Sequence, residues 1–67
     1  MKPMQTVINE MLAFMREKKW PVSVQETMIG AIELAKDERA AAEKVWGILH
    51  TVQTPKEAVK AVQPMLR

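Results

Sequence analysis

His50 and Ser23 are the single histidine and single serine of this chain, which has no cysteine and no tyrosine. Nucleophilic or general acid–base chemistry needs a nucleophile, a base and an orienting group brought together, and this inventory supplies few such sets. Ser23 opens Ser23-Val24-Gln25-Glu26, a capping-box pattern in which the hydroxyl and the glutamate each satisfy an exposed backbone N–H at a helix start. His50 falls at the expected end of a helix, where a protonated imidazole complements the helix dipole. One imidazole without neighbouring ligands does not make a zinc site. The adjacent Asp37 and Glu38 read as a cap and a first-turn charge. Gly30 and Gly47 stand singly inside helical patterns, so no glycine-rich loop exists to cradle phosphate. The expectation is a non-catalytic protein with no cofactor, metal or small-molecule substrate.

The elements that position these residues are helical, because apolar residues recur at three- and four-residue spacing and no segment alternates as a half-buried strand does. Met4, Val7, Ile8, Met11, Leu12, Phe14 and Met15 share one face of a first helix, about Pro3 to Lys18. The Trp20-Pro21 pair ends it, since proline disfavours helical geometry in the residue before it. A second helix is expected from about Val24 to Lys36. Asp37 caps a third from Glu38 to about His50, although no glycine or proline marks the break between them. Thr54-Pro55-Lys56-Glu57 is a second capping box with proline at the first helical position, and it starts a fourth helix that Pro64 ends near Gln63. The fold class is therefore all-α, a small self-associating bundle of three to four short helices, with residues 1–67 as one domain. At 67 residues there is surface for one core only.

The second helix carries the widest apolar sector, about 220° against about 160° for the first and third, where a single core contact needs only ~100°. It is either central in the bundle or packed against a second copy. Val24, Met28, Ile29, Ile32 and Leu34 are accordingly the expected self-association or partner surface. Trp20 is either a lid over one end of the core or an exposed aromatic anchor, flanked by Lys18 and Lys19 as charged partner contacts. The methionines on apolar faces (Met4, Met11, Met15, Met28, Met65) suit core gap-filling, or else a pliable groove for a partner helix.

Ten basic and eight acidic residues leave a net charge of +2, too weak a field to imply a polyanion partner by itself. The charges are nonetheless segregated. Glu26, Glu33 and Asp37 form one line of the second helix, and Lys56, Lys60 and Arg67 repeat that spacing on the fourth, so copies could pair stripe to stripe. The favoured function is a small protein–protein interaction or regulatory module, a homodimer or a binder of another protein. The alternative is a helix-turn-helix-like DNA-binding regulator that uses the helix beginning at Pro55, with Lys56 and Lys60 on phosphates. No run approaches the ~20 apolar residues of a membrane span, and Asn9 and Glu10 interrupt any signal-peptide core, so the expected location is cytoplasmic, with no membrane partner.

Overall fold

Residues 2–66, described by the computed structural model, form four α-helices and a closing 3₁₀ turn: α1 (Met4–Glu17), α2 (Val22–Glu33), α3 (Glu38–Thr51) and α4 (Pro55–Val62), then Gln63–Leu66. There is no strand among the described residues, and the fold is the expected small all-α bundle.

The starts of α3 and α4 follow their capping patterns. Asp37 is extended and its carboxylate accepts the Ala40 N–H at 3.1 Å. Thr54 accepts the Glu57 N–H at 3.2 Å and donates its hydroxyl proton to the Glu57 carboxylate at 3.0 Å, with Pro55 as the first helical residue. The start of α2 departs from expectation. The helix begins at Val22 with Pro21 as its N-cap, and no side chain caps it. The Pro21 carbonyl accepts the N–H groups of Val24 and Gln25 at 3.1 and 3.2 Å. Ser23 thus lies one residue inside the helix instead of before it, and its capping box does not form. The far end is early as well: α2 stops at Glu33, not Lys36, and the chain leaves helical geometry until Asp37 recaptures it. Asp37 therefore belongs to the start of α3, and the expected acidic line on α2 is reduced to Glu26 and Glu33. From Gln63 the chain tightens into the 3₁₀ turn that contains Pro64 rather than continuing α4, since proline has no N–H to extend the helix.

α1 ends in a Schellman motif. The Lys19 N–H reaches the Arg16 carbonyl at 2.9 Å, and the Trp20 N–H reaches the Met15 carbonyl at 3.1 Å. Lys19 holds the left-handed position of this motif at φ 62°, where glycine is the usual residue. The turn drives Trp20 into the core as a lid, 7% exposed.

α2 is the centre of the bundle, packed by α1, α3, α4 and the 3₁₀ turn. Met28, Ala31 and Ile32 are fully buried in it, facing Met11 and Met15 of α1, Val45 and Leu49 of α3, and Ala58 and Val62 of α4 within one cluster. The apolar width of α2 is thus covered within one protomer except at its two ends, where Val22 and Leu34 are exposed. The radius of gyration, 10.8 Å, matches the roughly 11 Å that a closed globule of this length takes.

Candidate interaction surface

Covering α2 relocates most of the residues expected to meet a partner. Met28 and Ile32 are at 0% exposure, and Ile29 and Trp20 are buried. All four hold the protomer together, and Met28, Ile32 and Trp20 offer a partner no free face, which corrects the sequence expectation for them, while Ile29 keeps only an edge on the groove between α1 and α2. Val24 is half-buried and packs on the core, and only Leu34, in the turn after α2, stands out at 75% exposure. The buried methionines Met11, Met15 and Met28 fill the core, while Met4 and Met65 are half-buried against it.

The sequence reading also missed Gln25, which is buried rather than solvated. Its Nε2 donates to the Trp20 carbonyl at 3.1 Å, fastening the lid to α2. Its place one helical turn before Met28 and Ile29 was the available signal. Among the described residues, no buried side-chain nitrogen or oxygen lacks a partner, and no three potential ligands gather around a metal position.

His50 is structural. Its Nδ1 lies 2.9 Å from the Trp46 carbonyl, which can only accept, so the proton sits on Nδ1. The imidazole leans on Phe14 at 5.1 Å and on Trp46 at 5.2 Å, and Phe14 meets Trp46 edge-to-face at 5.6 Å. This aromatic trio joins α1 to α3. Lys18 places its ammonium 5.1 Å from the centre of the Phe14 ring, so its charge is engaged within the protomer. Lys19, Lys56 and Lys60 are solvent-exposed. Arg67 lies outside the described residues, so the basic line of α4 consists of Lys56 and Lys60.

Two of the surface grooves differ in their lining. One runs between α1 and α2, lined by the apolar Leu12, Ile29 and strongly exposed Val22 and by the charged Arg16, Glu26 and Glu33. The other runs between α3 and the α4 end of the chain, lined by Ile48, Val52, Ala61 and Met65 with Gly47 and Thr51 beside them and Lys44 on the rim. They enclose about 490 and 450 Å³, so lining distinguishes them, not size. The first mixes three charges with its apolar residues; the second is apolar apart from Lys44 and the Thr51 hydroxyl. That hydroxyl is already spent on the Gly47 carbonyl at 2.6 Å, which removes the one uncharged polar group from competition.

Gly47 sets the α3–α4 groove apart. A glycine in a helix interior costs about 1 kcal/mol relative to alanine. A methyl group built there would meet nothing within 4 Å, so no neighbour in the protomer demands its absence. Gly30 is equally open but lines neither groove. No protein-family model, curated protein or solved structure matches this chain. The functional reading accordingly rests on its own residues.

Proposed function

We propose that this protein is a non-catalytic protein-interaction module whose docking site is the α3–α4 groove, and that the occupant is an α-helix presented by a polypeptide partner. The observation that carries the reading is Gly47: an exposed, destabilising glycine with open space above it, which lines an apolar groove together with Ile48, Val52, Ala61 and Met65. A groove of that lining takes the apolar stripe of a helix, and a missing side chain lets the two backbones approach closely. Ile48, Val52 and Met65 pack against the core with one side and keep the other partly exposed, which leaves apolar surface for a partner. No described helix is long and apolar enough to cross a membrane.

The DNA-binding alternative has less behind it. Lys56 and Lys60 share α4 with Glu57, and α4 is only eight residues long, which leaves two cations to hold a phosphate backbone.

A photo-reactive residue placed at Lys44, on the groove rim, tests the proposal in cells, with Lys56 outside the groove as the reference position. Adducts to protein are expected from position 44 and are expected to vanish when Gly47→Leu fills the groove. Crosslinking to protein only from position 56, or adducts from 44 that survive Gly47→Leu, would refute it; crosslinks to DNA from 56 would install the alternative.

A further inference from the structure

We infer that the groove between α1 and α2 is a second docking surface, for a cationic amphipathic helix of another protein. It shares no lining residue with the α3–α4 groove and stands independently of that reading. Val22, Glu26, Ile29 and Glu33 follow one another along α2 at spacings of four, three and four, so apolar and acidic side chains alternate turn by turn on one stripe. Val22 is 66% exposed, with Leu34 the most open of the large apolar side chains described, and Leu12 of α1 completes the apolar lining. Such a strip takes the apolar stripe of a helix laid alongside α2.

The charges say what kind of helix. Glu26 and Glu33 line the α2 bank and Arg16 the α1 bank, two carboxylates against one guanidinium. The one ion pair among the described residues joins Lys2 to Glu10, so no described cation pairs with either glutamate. Glu33 is moreover the last residue of α2, where the helix dipole is negative, and the last turn holds no basic residue. A carboxylate there is adversely placed within the protomer. A cation brought by a partner relieves it, and a second reaches Glu26, because seven residues of helix span about 10.5 Å on either molecule. The partner therefore carries two lysines or arginines seven residues apart, on the edge of its apolar stripe that faces α2. A helix of a second copy of this chain does not fit. Counting lysine and arginine, α1 has Arg16 alone and α2 none, α3 has Arg39 and Lys44 five apart, and α4 has Lys56 and Lys60 four apart.

The probes are two synthetic helical peptides with the same leucine stripe, one with lysines and one with glutamates at the two flanking positions. By fluorescence anisotropy at low salt, the wild type should bind the lysine peptide roughly tenfold tighter than the glutamate peptide, and added salt should narrow the difference. Glu26→Lys with Glu33→Lys, both at exposed positions, should reverse the preference while keeping the helical circular-dichroism signal. Gly47→Leu should leave both affinities unchanged, which separates a failure of this inference from a failure of the α3–α4 reading. Equal affinity for the two peptides, no binding of the lysine peptide at millimolar concentration, a preference that survives the double variant or binding lost in Gly47→Leu overturns the inference. A photo-reactive residue at Val22 extends the test to cells. Mass spectrometry should place its adducts in a segment of another protein with two basic residues seven apart beside apolar ones. Adducts only to a second copy of this chain or to an acidic segment, or none at all, overturn it.

Discussion

α2 and α4 begin with nearly the same four-residue pattern, Ser23-Val24-Gln25-Glu26 and Thr54-Pro55-Lys56-Glu57, yet only the second becomes a cap. At α4 the proline lies inside the pattern, at the first helical position, and the threonine before it keeps the extended geometry that lets its oxygen reach the Glu57 N–H. At α2 the proline lies two residues ahead of the serine. The Schellman turn at the end of α1 delivers Trp20 and Pro21 already aligned, the helix starts on Pro21, and Ser23 arrives too late to cap anything. A start imposed by the preceding turn thus overrides a side-chain signal. A start with no such turn behind it obeys the signal.

Four substitutions probe that contrast. The largest effect is expected at Gln25→Ala, which strips the buried Trp20 carbonyl of its donor and loosens the lid over α2. It should cost about 2 kcal/mol in urea denaturation, the range for an orphaned buried acceptor. A change under 0.5 kcal/mol would mean that the lid does not hold the α2 start. Thr54→Ala should cost about 1 kcal/mol, since the α4 start depends on that hydroxyl. Lys19→Gly should act in the opposite direction. It relieves a left-handed residue of a penalty of about 1–2 kcal/mol against a smaller entropic loss, so stability should rise by about 0.5–1 kcal/mol, read as a higher melting midpoint. An unchanged or lower midpoint would remove strain from the account of the α1–α2 turn. Ser23→Ala should be nearly silent, within about 0.5 kcal/mol. A loss as large as that of Thr54→Ala would restore the serine cap and erase the contrast.

The same division runs through the surface. α3 and α4 could be read almost to the residue, because Asp37 and Thr54 act on N–H groups one turn away, and α1 to within one residue at each end from Pro3 and the Trp20-Pro21 pair. The wide apolar sector of α2 was equally plain, and so was the pair of explanations for it, but choosing between them needed the positions of three other helices. Met28 and Ile32 are invisible to a partner only because α1, α3 and α4 close over them. The groove was harder still. Ile48, Val52, Ala61 and Met65 come from two separate segments, and nothing in the spacing along either one says that they meet. Gly47 was conspicuous as a helix-interior glycine, but whether its missing side chain faced a neighbour or open space was decided by packing.

The order of residues alone determined an all-helical chain of three to four helices and the caps of α3 and α4. Those properties depend on hydrogen bonds and side-chain periods that span a turn or two, so the chain carries them locally. Tertiary structure decided which apolar surface is interior and which is left outside, where α2 starts, and that Trp20 is a lid. These depend on how the turns at Lys19 and Leu34–Asp37 aim one helix at the next, and burial is a property of the neighbours a residue acquires, not of the residue itself.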